Sequence, residues 1–223
     1  MYLAREGLKE MVAGTLVLAG LGTIGAVLVG WPLAVVFAAV WIWLIAFFRD
    51  PPRRGPFAAD ALYAPADGTV TEITRLPDHP LIGAPAVRVG MFLSIFNVHI
   101  NRSPCAGRVR SVAFAPGQFL DARHVDSGAL NASNTLVLDP VSPVPGPLVV
   151  RQVAGMIARR IVCHAKPGDQ LVSGERFGLI KFGSRTELIV PDRPDVQVVA
   201  TLRQAVRAGV TVLVRFDATA RSQ

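Results

Sequence analysis

Hydrophobic and polar positions along this chain follow two different regimes. From Met11 to Phe48 no residue is charged, whereas beyond Pro56 apolar residues come in short runs broken by Gly, Pro, Asp and Asn. A long uncharged run without alternation predicts helices that are apolar on every side, while short runs between turn formers predict strands. Gly30-Trp31-Pro32 interrupts the first regime near its middle. It therefore reads as an apolar helical hairpin, with helices over roughly residues 11–29 and 33–48. At about 1.5 Å per residue the first helix is long enough for a hydrocarbon core of about 30 Å, and the second is short.

In the second regime the pattern predicts strands at 61–64, 69–73, 87–92, 107–114, 135–138, 148–153, 160–163, 177–182, 186–190 and 210–216, with a possible helical turn in 152–159. Many short strands at this spacing predict a mainly β fold, a compact β-sandwich or barrel-like domain. The organisation that follows is a membrane-associated hairpin over 1–49, a basic, Pro-rich linker over 50–56 and a β-rich catalytic domain over 57–223. Arg5 and Lys9 precede the uncharged run, and Arg49, Arg53 and Arg54 follow it. Basic flanks prefer the cytoplasmic side, so both ends of the hairpin are expected there. The linker arginines can rest on anionic headgroups, at about 1 kcal/mol each. A hairpin that dips into the bilayer without crossing it fits the same pattern.

Composition narrows the partners. The 223 residues carry a formal net charge of +7, which suits anionic lipid, acidic small molecules or nucleic acid. Basic residues do not cluster with interleaved aromatics, which makes nucleic acid the weakest of the three. Cys105 and Cys163 lie far apart, without the CxxC or CxxH companion of a zinc site, and read as buried thiols in a reducing compartment. No metal is expected.

The most informative stretch runs from Arg176 to Pro191. Two apolar segments flank Gly183-Ser184, which by itself reads as a turn or bulge between strands. The whole string, GERFGLIKFGSRTELIVP, resembles the self-cleavage segment of the short, bacterial-type phosphatidylserine decarboxylases, and the resemblance runs from the apolar N-terminal segment to the end of the chain. It implies that the chain splits itself between Gly183 and Ser184, and that Ser184 becomes a covalent pyruvoyl group, the Schiff-base-forming cofactor. Two chains from one precursor would make up the enzyme.

Two further motifs gain meaning from that resemblance. Asp67 lies in Pro65-Ala66-Asp67-Gly68, and His99 in Val98-His99-Ile100-Asn101-Arg102. Alone, they read as a turn aspartate and a strand-end histidine. The family's matching segments imply that Asp67, His99 and Ser184 act together as a triad does, because a serine hydroxyl needs a base and the base needs a carboxylate to orient it. His99 is also the expected proton donor in decarboxylation.

A lipid substrate agrees independently with the apolar hairpin. Asn101, Arg102 and Lys181, and with less reason Arg108, are candidates for contacts to the lipid phosphate. The chain departs from the family pattern at Ala132-Ser133-Asn134-Thr135-Leu136, where an Asn-Glu-Arg element is usual. Two other readings stand beside the enzyme. Ala64–Val70 and Lys166–Glu175 resemble diluted lipoyl or biotinyl carrier half-motifs, which would make the chain an unprocessed, membrane-anchored carrier. The other is an unprocessed lipid-binding scaffold. The family resemblance further implies a self-associating enzyme at the cytoplasmic face of a bacterial membrane.

Overall fold

The computed structural model describes residues 2–124, 126–141, 144–157, 160–181 and 183–217. The chain divides into two compact units between Pro52 and Arg53.

The first unit is the helical hairpin. α1 (Leu8–Leu28) and α2 (Trp31–Phe47) turn at Gly30, whose φ of +118° is open only to glycine, and Pro32 sits in the first turn of α2. Small residues let the helices approach closely: a Cβ on Gly14 would lie 2.2 Å from the Leu44 side chain, and one on Gly25 2.7 Å from Leu33. Trp41 Nε1–H donates to Thr15 Oγ1 across the pair at 2.9 Å. Two short strands, β1 (Tyr2–Leu3) and β2 (Arg49–Asp50), clip its ends together. Leu16, Val17, Ile24, Val27, Trp31, Val36 and Ile42 all point outward, so the pair is apolar on its outside as well as at its seam. Among the described residues, the helical stretch Arg5–Leu28 is long and apolar enough to cross a membrane, and Trp31–Phe47 is shorter.

The second unit is built from strands β3 (Ala61–Tyr63), β4 (Gly68–His79), β5 (Ala84–Leu93), β6 (Ile100–Arg102), β7 (Gly107–Ala115), β8 (Ser133–Pro140), β9 (Leu148–Val153), β10 (Ile161–Cys163), β11 (Gln170–Leu171), β12 (Arg176–Ile180), β13 (Ser184–Pro191), β14 (Val196–Val198), β15 (Ala205–Val206) and β16 (Val212–Phe216), with one helical turn, α3 (Ser127–Leu130). Eight of them form a curled antiparallel sheet in the order β11-β7-β8-β9-β13-β5-β4-β15; β10-β12-β6 and β14-β16-β3 form two smaller sheets. The fold is mainly β with an N-terminal pair of apolar helices, as the two regimes of the sequence imply.

Alternation decides which face each side chain takes. On β5, Val87, Val89, Met91 and Leu93 enter the main core, together with Leu188 and Val190 of β13 and Leu148 and Val150 of β9. Each such burial contributes about 1.5–3 kcal/mol. The opposite face of the same strands carries a chain of alternating charges: Arg88 to Glu72, Glu72 to Arg185, Arg185 to Glu187, and Glu187 toward Arg151. Burial alone would raise the Glu72 carboxyl, but hydrogen bonds from Arg185, Thr74 and Arg88 outweigh it and bring it down to about 2.

β5 ends at Leu93, Ser94–Asn97 make a turn closed by Asn97 N–H to the Ser94 carbonyl, and β6 begins at Ile100, just after His99. One expectation about strands needs correction: Gly183-Ser184 is not a turn or bulge within a single sheet, since β12 belongs to the small sheet with β6 and β13 to the large one. Residues 152 and 153 are strand, and Ala158 and Arg159, the end of the expected helical turn, lie outside the described residues, as does Phe182.

Candidate active site

The chain changes sheets at Gly183, with φ of +66°, and Ser184 is the first residue of β13, opposite Leu93 of β5. A left-handed backbone costs a residue with a Cβ roughly 1–2 kcal/mol, and glycine avoids that cost. The Gly183 carbonyl is packed against a second glycine: a Cβ on Gly155 would lie 2.2 Å from the Gly183 oxygen. Ser184 itself is fully buried, and among the described residues its Oγ has no hydrogen-bond partner. Leaving a buried hydroxyl unsatisfied costs about 1–3 kcal/mol. The fold thus tolerates a buried hydroxyl without a partner among the described residues, next to a carbonyl packed against a second glycine.

His99 is buried against the same turn. Its Nε2 accepts the Gly183 N–H at 3.2 Å, and its Nδ1 lies 3.0 Å from the Asn97 carbonyl. A carbonyl can only accept, so Nδ1 carries the proton and the Nε2 lone pair is turned to the Gly183 N–H. In a hydrolase triad a carboxylate orients the histidine through Nδ1; here the Asn97 carbonyl is hydrogen-bonded to that nitrogen. Asp67, in the turn before β4, accepts the Ala208 N–H at 2.7 Å and the Arg53 guanidinium at 2.8 Å. Arg53 of the basic linker therefore spends its charge on Asp67.

A buried amide chain supports this arrangement. Asn134 Nδ2 donates to Gln152 Oε1 at 3.0 Å, Gln152 Nε2 to Asn101 Oδ1 at 2.8 Å, and Asn101 Nδ2 to Thr186 Oγ1 at 3.1 Å and, weakly, to the Pro65 carbonyl at 3.5 Å. Thr186 lies two residues beyond Ser184, and Asn101 two beyond His99. The Asn101–Thr186 bond ties β6, which follows His99 directly, to β13, which begins at Ser184. Asn101 is thus engaged on both ends of its amide. Arg102 is buried, donating Nη1–H to the Gly174 carbonyl at 3.0 Å. Lys181 is 4% exposed and its backbone N–H donates to the Arg160 carbonyl at 3.2 Å. Arg108 is exposed on β7. A carrier lysine must reach solvent to be modified, and Lys181 does not. The Ala132–Leu136 segment, where the chain departs from the family pattern, enters β8 and supplies Asn134 to the amide chain.

Beside the turn lies a cavity of about 350 Å³ lined by Gly183 with Phe92, Ile95, Arg123, Met156 and Ile157, among others. Arg123 sits 5.8 Å from the Phe92 ring centre and pairs with Asp121 at 2.6 Å; that hydrogen bond holds the Asp121 carboxyl down at about 2. Gln152, Thr186, Asn134, Gly155 and Arg123 were not singled out from the sequence. A polar residue at an inner position of an apolar strand, as in Leu148-Val149-Val150-Arg151-Gln152-Val153, is the cue that finds Gln152.

The phosphatidylserine decarboxylase family profile matches residues 41–214. Across 217 residues the chain is 45% identical to a phosphatidylserine decarboxylase proenzyme of Rhodopirellula baltica, covering 96% of this chain and 88% of that one. The chain belongs to the phosphatidylserine decarboxylase family. A proenzyme of the same name from Pelobacter propionicus is 45% identical over 81% of this chain and 80% of its own. One from Nitrosomonas europaea is 39% identical over 96% of this chain and 95% of its own. The matched residues include the Gly183-Ser184 turn, His99 and Asp67, so the site described above lies inside the part of this decarboxylase that defines its family.

Proposed function

We propose that this decarboxylase acts on phosphatidylserine, releasing CO2 and leaving phosphatidylethanolamine, and that it matures by breaking its own backbone between Gly183 and Ser184. The observation that carries the reading is the buried Ser184 Oγ, without a hydrogen-bond partner among the described residues, beside a glycine-held carbonyl, with His99 Nε2 on the preceding amide. The names of the relatives, proenzymes of that activity, support it.

In this scheme His99 Nε2 releases the Gly183 N–H and takes the hydroxyl proton as Ser184 Oγ attacks the Gly183 carbonyl carbon. The proton passes to the Ser184 nitrogen as the Gly183–Ser184 amide breaks, leaving an ester from Gly183 to Oγ. Loss of the residue-184 Cα proton then expels the Gly183 carboxylate, and water converts the remaining dehydroalanine to ketone and ammonia. The pyruvoyl group so made supplies an electron sink for loss of CO2 from an amino acid. The residues fit it, because the new terminus begins β13, which pairs with β5 from Ser184 to Pro191 and with β9 from Arg185 to Ile189. Cutting before Ser184 removes none of these pairings, so the small chain stays in the centre of the large sheet.

Asp67, bound to Arg53 and to the backbone of Ala208, braces the turn beside β6. Lys181 and Arg102 remain our candidates for the anionic headgroup, with Arg123 of the cavity added, whereas the Asn101 amide serves the framework. The hairpin keeps the enzyme at the membrane, and its basic flanks favour the cytoplasmic face. Denaturing electrophoresis with mass measurement tests the reading. The wild-type chain should yield fragments ending at Gly183 and starting at a pyruvoyl-blocked residue 184, and Ser184→Ala should stay whole and inactive. A wild-type chain that is active yet uncut would overturn it.

A further inference from the structure

The mouth of the Gly183 cavity is apolar in a way the chemistry of a serine headgroup does not require. Met156 and Ile157 line the cavity and are still 59% and 60% exposed, and Phe96, next to the cavity-lining Ile95, is 68% exposed. These side chains come from two separate connections, the turn after β5 and the segment after β9. Presenting large apolar groups to water at a single opening is costly, at about 25 cal/mol per Å² left uncovered. The unit that carries the cavity is also net basic. The basic residues of the first unit, Arg5, Lys9 and Arg49, are matched there by Glu6, Glu10 and Asp50, so the whole excess of +7 belongs to the second unit.

We infer that Phe96, Met156 and Ile157 form a bilayer-inserting rim, by which the catalytic unit seats the mouth of its cavity on an anionic phospholipid surface. The inference rests on the reading that the cavity receives a phospholipid headgroup. A lipid with two acyl chains presents its headgroup at the interface, and drawing it wholly into water would expose both chains. A rim that enters the acyl boundary lets the headgroup reach Gly183 while the chains stay in lipid. The net positive charge of the unit favours the same surface, since each basic residue near an anionic leaflet adds about 1 kcal/mol. This attachment is separate from the hairpin: the hairpin holds the chain to the membrane, and the rim aims the cavity.

The experiment uses the full, processed chain in phosphatidylserine-containing vesicles. A fluorophore at Phe96→Cys, in a Cys163→Ser background, should be quenched by nitroxides placed on acyl chains, and a label at the exposed Gln197→Cys should be quenched far less. Equal quenching at both positions, or none at Phe96, overturns the rim. In kinetics, Phe96→Asp should lower kcat/KM on vesicle phosphatidylserine at least tenfold, mainly through KM. It should leave kcat/KM on a monomeric short-chain phosphatidylserine within twofold and self-splitting complete, and Phe96→Trp should restore the vesicle reaction. An equal fall on both substrates, or a change in oligomeric mass that accounts for the loss, would show a fold defect or a protein interface and would also overturn it. Quenching needs no turnover. Insertion without any decarboxylation by the wild-type chain would therefore sink the substrate reading and leave the rim standing.

Discussion

His99 Nε2 accepts the Gly183 backbone N–H at 3.2 Å, which places the only lone pair of the imidazole one peptide unit before Ser184. The Asn97 carbonyl fixes the tautomer that makes this possible. Backbone groups on both sides of its ring thus hold the histidine at the Gly183-Ser184 turn with Nε2 unprotonated.

Replacing His99 by Ala should slow self-splitting by about 10²-fold or more, the range for loss of a positioned general base. His99→Gln can still accept the Gly183 N–H but is no base, and it should be equally blocked. A time course on denaturing gels checks both, and splitting at the wild-type rate in either variant would remove His99 from the role.

Gly155→Ala places a methyl 2.2 Å from the Gly183 oxygen. The carbonyl or the β9 end must shift, at about 1–3 kcal/mol of stability, and splitting should slow with it. Gly20→Ala is the control, because nothing lies within 4 Å of its Cβ. Normal splitting in Gly155→Ala would mean that the carbonyl does not need this close seat.

Asn101→Ala leaves Gln152 Nε2 without its Asn101 partner and Thr186 Oγ1 without its donor. Each buried group left unsatisfied costs about 1–3 kcal/mol, so Tm should fall by several degrees. In a double-mutant cycle with Thr186→Val the two changes should be non-additive by about 0.5–3 kcal/mol. Simple additivity, with splitting unimpaired, would show that the amide chain does not hold His99 in register with Ser184.

The charge chain on the other face of the sheet predicts an acid limit. The Glu72 carboxyl is lowered from 4.5 to about 2 in the folded protein, so the unfolded state binds the proton more tightly. The stability it contributes is present above about pH 4.5 and is lost as pH falls from there toward 2. Allowing for solvent screening at a half-buried group, the loss is about 1–2 kcal/mol. Denaturant melts of the wild type and Glu72→Gln between pH 6 and pH 3 should converge as pH falls, and curves that stay parallel would refute the assignment.

Much of this was legible in the residues. The uncharged run from Met11 to Phe48 could only make apolar helices, and the placement of β9 at Leu148–Val153 follows from its own apolar content. Gly183-Ser184, His99 and Asp67 stood out because their neighbours form recognisable strings. β6 was harder to see. Ile100-Asn101-Arg102 is too short and too polar to read as a strand, and it is one because β12 pairs with it and Thr186 and Gln152 satisfy Asn101. The Asn97 carbonyl at His99 and the Arg53 guanidinium at Asp67 were not legible either, since Asn97 and Arg53 are ordinary turn and linker residues until the chain has folded.

What the sequence determined by itself is therefore what depends on near neighbours: the helical hairpin, the strand periods, the glycine that must precede Ser184, and the membership of a decarboxylase family. Tertiary structure alone decided that Gly183 joins two sheets, that Gly155 presses on its carbonyl, that Ser184 Oγ is buried without a partner among the described residues, and that apolar side chains from two connections meet at one opening. Backbone preference and side-chain alternation act over a few residues. Burial and hydrogen-bond partnership are settled only when segments some 30 to 140 residues apart come together, as Ala208 does with Asp67 and Gly183 with His99.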